Sequence, residues 1–157
     1  MSGIPPSARD LEVMGVALLE AAAAASEGEI PVGALILDPE GNVIATGRNS
    51  RVHETDPTAH AEVNAIREAA RVLGDRVLDG CTLVVTLEPC VMCAGVILAA
   101  RVPRVVFGAW DDKAGAVGSV YDLLRDGRLP HAVPEVIGGV CADECAALLE
   151  RFFRARR

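Results

Sequence analysis

The sequence lacks any apolar run long enough to cross a bilayer. Its longest uninterrupted apolar stretches, such as 21–25 and 96–100, fall far short of the ~20 residues that a transmembrane helix requires. Residues 1–15 carry Arg9, Asp10 and Glu12 and contain no apolar segment of the kind found in a signal peptide. The sequence therefore predicts a cytoplasmic protein without a membrane partner.

Basic residues and aromatic residues are also scarce. Lys and Arg together number 15 against 22 Asp and Glu, so the net charge is −7, which argues against a general nucleic-acid binder. The last seven residues, 151–157, are an exception, because they carry four arginines and no acid. This end, including Arg154, is a local basic patch of the kind that contacts nucleic-acid phosphates, and the alternative is a solvated tail.

The length of 157 residues predicts a single domain spanning 1–157, large enough for one hydrophobic core. There are no repeats, linkers or low-complexity tracts beyond the alanine run near residue 21. The five cysteines are an odd number, and in a reducing compartment a C-x-x-C pair binds metal or does redox work more often than it forms a structural disulfide.

The pattern of apolar residues and turn residues predicts helices alternating with strands. Ser7 and Asp10 are typical of a helix start, and a glycine at position 74 is typical of a helix end. The predicted helices are 8–26, 61–73, 89–100 (with Pro89 at its start), a short piece at 121–125, and 142–155. The predicted strands are 32–37, 43–47, 82–86, 104–108 and 133–138. This order predicts an α/β protein, a three-layer α/β/α sandwich whose five-stranded sheet is mixed because it begins with a hairpin.

Two short motifs carry the chemistry. One is His60-Ala61-Glu62, and the other is Pro89-Cys90-Val91-Met92-Cys93. One imidazole and two thiolates suit a tetrahedral Zn²⁺ with its fourth position open to water, which zinc activates as a nucleophile. Glu62 is then free to carry the proton of that water. H-x-E followed by P-C-x-x-C is the signature of the zinc nucleobase deaminases.

Other interpretations of the cysteines remain open. Cys141 and Cys145 could complete a structural Cys₄ zinc site with the C-x-x-C pair, although that leaves His60 and Glu62 without a role. A thioredoxin-like redox pair is a further alternative. Cys81 and Cys145 are predicted to be small buried side chains of the core.

Longer stretches resemble the bacterial tRNA-specific adenosine deaminases of the TadA family, and the resemblance runs from about residue 8 to the C-terminus. The similar segments are 56–62 (DPTAHAE), 86–95 (TLEPCVMCAG), 104–109 (RVVFGA), 113–119 (KAGAVGS) and 142–149 (ADECAALL). The resemblance implies a cytidine deaminase-like fold, a homodimer with one Zn²⁺ per subunit, and hydrolysis of the wobble adenosine in a tRNA anticodon stem-loop to inosine. It implies RNA rather than DNA as the substrate.

The resemblance also implies residue roles. His60, Cys90 and Cys93 match the zinc ligands, and Glu62 matches the proton shuttle. Asn49 matches an asparagine that hydrogen-bonds the target nucleoside, and Asp111 matches an acidic residue near the ribose. The remaining residues expected around the purine are Ala61, Pro89, Ile30 and Val32. Apolar walls with a few polar groups are what a purine pocket needs.

The aromatic residues beside these motifs are less well determined. Trp110, the one tryptophan, is expected either to pack at a loop or subunit interface or to stack on an unpaired anticodon base. Phe152 and Phe153 are adjacent, so we expect one in the core and the other near the RNA. Deamination of a free base or nucleoside, such as guanine or cytosine, shares the same core motifs and is the alternative function. A structural zinc module without activity is a third possibility.

Overall fold

The computed structural model describes residues 3–157. Within that range the chain forms the following elements in order: α1 (Ala8–Ser26), β1 (Gly33–Leu37), β2 (Val43–Arg48), α2 (Ala61–Leu73), β3 (Thr82–Leu87), α3 (Val91–Ala99), β4 (Arg104–Ala109), β5 (Glu135–Ile137) and α4 (Ala142–Arg154). None of the helices in this part of the chain is both long and apolar enough to span a membrane.

The five strands form one sheet in the order β2-β1-β3-β4-β5. The β1–β2 hairpin is antiparallel, β1 pairs antiparallel with β3, and the β3–β4 and β4–β5 pairs are parallel. The predicted mixed sheet is therefore confirmed. The β3–β4 connection runs through α3, so the end of β3 leads straight into the C-x-x-C motif.

Helices cover both faces of the sheet, which confirms the three-layer α/β/α sandwich. Side chains of β3 alternate between the layers: Leu83 and Val85 pack with α2 and α3, whereas Val84 packs with α1 and α4. Alternation of this kind is what a strand with two buried faces requires.

Glycine at position 47 brings α2 close to the sheet. A Cβ atom placed on Gly47 would lie 2.5 Å from the carbonyl oxygen of Ala61, closer than any real contact. Only glycine therefore lets β2 approach the first turn of α2, where the H-A-E motif lies.

The N-terminus of α1 is fixed by a capping box and a buried ion pair. Ser7 and Asp10 exchange hydrogen bonds as predicted, and Asp10, 1% exposed, also accepts two hydrogen bonds from Arg104 at 2.7 and 2.8 Å. Arg104 begins β4 and also pairs with Glu135 of β5 at 3.3 Å. Burial alone raises the pKa of Asp10, but Arg104 and Ser7 outweigh it and lower that pKa below its usual value.

Two predictions at the level of the elements are wrong. The segment 121–125 is not a helix but a turn, because an isolated bridge joins Val117 to Asp122 and the N–H of Leu123 donates to Ala116. Pro89 does not start α3, since Cys90 is the N-cap and Pro89 precedes it. The last strand is also shorter than predicted, with three residues.

Candidate metal and substrate site

The two motifs meet because each places its first ligand at the start of a helix. His60 is the N-cap of α2 and Cys90 is the N-cap of α3, both in extended backbone conformation. An N-cap side chain normally accepts a hydrogen bond from its own helix, but neither of these does. Both side chains face each other instead.

Three ligand atoms lie within 4.8 Å of one another: one ring nitrogen of His60 and the sulfurs of Cys90 and Cys93. Nδ1 of His60 lies 3.7 Å from Sγ of Cys90 and 3.4 Å from Sγ of Cys93. Cys90 is the N-cap of α3 and Cys93 is its third residue, and the two sulfurs lie close together. Their expected proximity is therefore observed, although Cys90 lies just outside the helix. One nitrogen and two sulfurs at this spacing fit zinc with one position left open.

The two thiols differ in their affinity for a proton, because the hydrogen bond to Cys90, together with burial, raises the pKa of the Cys93 thiol. Hydrogen bonding from Cys93, together with His60, lowers the pKa of the Cys90 thiol to about 3 despite its partial burial. Metal ligation requires thiolates, and groups around Cys90 favour that form.

Glu62 lies in the first turn of α2 and is 4% exposed. Burial raises the pKa of its carboxyl, against the opposing effects of the Cys93 thiol and the His60 ring. A carboxylate whose affinity for a proton is increased is suited to accept a proton and release it again during a reaction.

A small cavity of about 190 Å³ opens onto the ligand cluster. It contains most of the residues that the sequence placed at the substrate. The predicted lining residues found there are Ile30, Val32, Asn49, His60, Ala61, Glu62, Cys90 and Asp111. Pro89 and Cys93 do not line it, Cys93 because it is fully buried behind the cavity.

Asn49 and Asp111 approach the cavity from two separate loops, and each is held by its own hydrogen bonds. Nδ2 of Asn49 donates to the carbonyl of Ile30 at 3.2 Å, and its Oδ1 accepts from the N–H of Arg51 at 3.3 Å. Oδ1 of Asp111 accepts from two N–H groups of its own loop, those of residues 113 and 114, at 3.1 Å each. Both side chains are therefore fixed in orientation within their loops.

Four further lining residues were not predicted: Arg51, Leu87, Glu88 and Ala114. Glu88 stands directly before the P-C-x-x-C motif, and that position is the one sequence signal that could have drawn attention to it. A second unpredicted acid, Glu29, is 2% exposed and accepts hydrogen bonds from the N–H groups of Val52 (3.1 Å) and His53 (2.7 Å) in the loop that follows Asn49.

The residues predicted to contact RNA lie outside this cavity. Phe152 is buried in the core, as expected for one of the two, and Phe153 is 46% exposed. Arg154 lines a separate shallow hollow with Phe153 and Arg157. Arg156 instead folds back, with its guanidinium 3.4 Å from the centre of the Phe152 ring.

Trp110 is half exposed and packs edge-on against Phe107, with the ring centres 4.8 Å apart. Part of the indole therefore packs against a strand of the same chain, and the rest of the ring is accessible.

The remaining cysteines do not join the cluster. Within residues 3–157, the His60, Cys90 and Cys93 group is the one set of ligand-type side chains close enough to hold a metal. Cys81 and Cys145 are buried in the core, as predicted.

A three-layer α/β/α fold that joins an H-x-E histidine to a C-x-x-C pair beside a small pocket defines a zinc-dependent nucleobase deaminase. Residues 7–109 match the family model of the cytidine and deoxycytidylate deaminase zinc-binding region. The "tRNA-specific adenosine deaminase" of Haemophilus influenzae is 47% identical over 148 residues, which cover 94% of this chain and 85% of that protein. The chain therefore belongs to the cytidine and deoxycytidylate deaminase family and, within it, to the tRNA-specific adenosine deaminases.

A relative of another name is also similar. The "tRNA(Ile)-lysidine synthase" of Deinococcus deserti is 51% identical over 144 residues, but these cover 92% of this chain and 27% of that protein. The similarity is thus to about a quarter of a longer protein.

Solved structures show the same fold. A structure from studies of A-to-I editing by tRNA deaminases at the wobble position superposes with a TM-score of 0.84 at 42% identity, covering 88% of this chain and 99% of that chain. A guanine deaminase from Nitrosomonas europaea gives a TM-score of 0.75 at 28% identity, covering 97% and 86%.

Proposed function

We propose that this protein hydrolyses the wobble adenosine in a tRNA anticodon stem-loop to inosine, with release of ammonia. The observation that carries the proposal is the meeting of His60, Cys90, Cys93 and the buried Glu62 at one small cavity. The similarity to tRNA-specific adenosine deaminases over most of the chain supports adenosine in tRNA, rather than another nucleobase, as the substrate.

His60, Cys90 and Cys93 would hold the zinc, one ion per subunit, which supplies a water activated for attack. Glu62 accepts one proton of that water while the oxygen of the water bonds to C6 of adenine. Glu62 then delivers this proton to the neighbouring ring nitrogen and transfers the second proton of the water, left on the new C6 hydroxyl, to the departing amino group. The C6–N bond breaks as ammonia leaves, and the C6 oxygen of inosine remains.

The cavity supplies the binding contacts. Ile30, Val32 and Ala61 give apolar surface for the purine. Asn49 hydrogen-bonds the nucleoside, and Asp111 lies where a ribose hydroxyl would be. A volume of about 190 Å³ has room for one flipped-out base.

RNA contacts outside the cavity come from Trp110, Phe153 and Arg154. The exposed part of the Trp110 ring stacks on an unpaired base, and the arginines near the C-terminus neutralise phosphates. We place the enzyme in the cytoplasm, as one domain over 1–157, acting on RNA and not on DNA.

We also propose a homodimer. Helix α3 is apolar over its whole circumference, yet Val91, Gly95 and Ala99 are exposed. A helix that is apolar all round is normally buried, so a second copy covering this face accounts for its composition. A Cβ atom at Gly95 meets nothing within 4 Å, so Gly95→Arg should fold and should shift the protein to a monomer in light scattering. A dimer that survives Gly95→Arg contradicts this assignment of the interface.

Deamination of a free base is the second candidate, since the fold is shared with a guanine deaminase. The deciding experiment compares an anticodon stem-loop carrying adenosine at the wobble position with a panel of free bases and nucleosides, and measures inosine and ammonia. Inosine formation in the stem-loop, abolished by Glu62→Gln with zinc retained, supports the proposal. Turnover on the free panel alone would replace it with the second candidate, and full activity of Glu62→Gln would exclude the proposed proton carrier.

A further inference from the structure

Glu88 is a buried acid with no part in the reaction as described above. It is 2% exposed, and it lies at the end of β3, directly before the zinc-binding turn. Burying a carboxylate costs free energy unless its oxygens accept hydrogen bonds.

Its partners all belong to one loop, residues 110–119. Oε1 of Glu88 accepts from the N–H of Asp111 at 3.0 Å, and Oε2 accepts from the N–H groups of Val117 and Ser119, each at 3.0 Å. The Ser119 hydroxyl also donates to Oε1. The carboxylate thus connects both ends of the loop by hydrogen bonds.

The loop passes directly over this carboxylate. A Cβ atom on Gly115 would lie 2.3 Å from Cδ of Glu88, a separation that no pair of atoms in contact adopts. A further hydrogen bond, from the N–H of Ala116 to the carbonyl of Pro89 at 2.8 Å, ties the loop to the turn that carries Cys90. The close approach at Gly115, the hydrogen bonds to Glu88 and the hydrogen bond to Pro89 together restrict the conformation of the loop.

We propose that Glu88 is a positioning residue that fixes the 110–119 loop and, through it, the place of Asp111 at the cavity. The proposal rests on the proposed function, in which Asp111 contacts the nucleoside. The consequence is that the carboxylate acts on substrate binding, by holding a binding group in place before the substrate arrives, and contributes little to the chemical step.

The chain provides a direct probe of this loop. Lys113 is the one lysine in the sequence, so a lysine-specific protease can cut the native protein at a single place and yields fragments 1–113 and 114–157. Cleavage requires the loop to open locally, and its rate reports the population of open loop. This measurement does not depend on enzymatic activity.

Glu88→Gln keeps the shape of the side chain but replaces one acceptor by an amide that cannot accept. We expect the zinc content to stay at one per chain and cleavage at Lys113 to rise at least about tenfold, because hydrogen bonds to a charged acceptor are lost. The increase should be nearly independent of low urea concentrations, since a local opening exposes little surface. Asp10→Asn is the matched control: it weakens the fold elsewhere, so any cleavage it permits should rise steeply with urea.

The kinetic part of the test is a double-mutant cycle with the stem-loop substrate. Glu88→Gln and Asp111→Asn should each raise KM about tenfold with kcat changed by less than about threefold, and the double variant should be no worse than either single variant. Effects that multiply would show that Glu88 does not act through Asp111.

Ser119→Ala removes one hydrogen bond from a partly exposed side chain and covers the case in which Glu88→Gln does not fold. It should give the same two changes, each of about two- to fivefold. Cleavage of Glu88→Gln, or of Ser119→Ala where the first variant does not fold, at the wild-type rate would overturn the proposal. If the wild-type protein proved inactive on RNA, the proteolysis would still decide whether Glu88 holds the loop, and the proposed function alone would fail.

Discussion

His60 and Cys90 each cap the start of a helix, and their side chains contact each other rather than their own helices, with Nδ1 and Sγ 3.7 Å apart. Both helices thus begin with an unfilled capping position. The ligand geometry is obtained at the cost of local helix stability, a compromise that is common where a fold carries a functional site.

Replacing Cys90 by serine separates these two effects. Serine is a good N-cap, worth about 1 kcal/mol over a residue that does not cap, so in the presence of a chelator Cys90→Ser should melt about 3 °C above the wild type. The same variant should bind zinc at least about tenfold more weakly and lose activity, because a neutral hydroxyl replaces a thiolate. Calorimetry and a zinc assay measure the two results. Cys81→Ala, which changes a buried cysteine outside the cluster, is the control and should keep its zinc. Full zinc retention in Cys90→Ser would contradict the assigned ligand set.

Asp10 links the stability of the fold to pH. Its pKa in the folded protein is lowered below the usual value of 3.8, so its contribution is present above that value and is lost as pH falls through the folded pKa. Asp10→Asn should reduce the free energy of unfolding by about 2 kcal/mol near neutral pH, because Arg104 loses its buried partner and keeps only Glu135. Urea unfolding of both proteins across the acid range should show the difference shrinking below pH 3.8. Asp112→Asn, at an exposed position, should leave stability unchanged at every pH, and a constant gap between wild type and Asp10→Asn would rule out the linkage.

The single tryptophan allows its own role to be measured. If Trp110 stacks on an anticodon base, binding of the stem-loop should quench the intrinsic fluorescence, and Trp110→Ala should weaken binding by about 1–3 kcal/mol. The same substitution should lower the free energy of unfolding by about 1 kcal/mol, because the edge-on contact with Phe107 is lost. Leu19→Ala, at an exposed position on α1, serves as the control for surface changes. Unchanged fluorescence and affinity would assign Trp110 to packing alone.

The arginine-rich end should control the salt dependence of RNA binding. Arg156 should be left in place, because its packing on Phe152 contributes to the end of α4. Replacing Arg154 and Arg157 together by alanine should therefore weaken binding and reduce the slope of log K against log salt by about 1–2. Arg101→Ala, in the turn after α3, is the matched charge control. An unaltered slope in the double variant would show that the end is solvated surface.

The sequence predicted elements best where their ends are determined by local chemistry. Both bounds of α2 follow from the motif at its start and from Gly74 at its end, where the backbone is left-handed (φ 67°). The capping box of α1 was predicted for the same reason. The segment 121–125 was mistaken for a helix because its apolar spacing resembles one, whereas its backbone is fixed by pairing with residues 116–118. Long-range pairing of this kind leaves no periodic signal in a sequence.

The site shows the same division. The three zinc ligands and Glu62 lie in two compact motifs, so their roles could be predicted from residue type and spacing. Asn49 and Asp111 were placed by family resemblance alone. The hydrogen-bonding roles of Glu29 and Glu88 could not be predicted, because their partners are mainly backbone N–H groups of distant loops, which every residue except proline supplies.

The distance along the chain between His60 and Cys90 has a consequence for the lifetime of the protein. These positions lie about 30 residues apart, so the ligands come together only in the folded chain, and zinc bound there stabilises the folded state by mass action, by about 2.7 kcal/mol at a free zinc concentration about a hundred times the dissociation constant. The metal then stabilises the fold as well as serving in catalysis. In a cell short of zinc, the apoprotein would unfold more often and be degraded sooner, so the amount of enzyme, and not only its activity, would follow the metal supply.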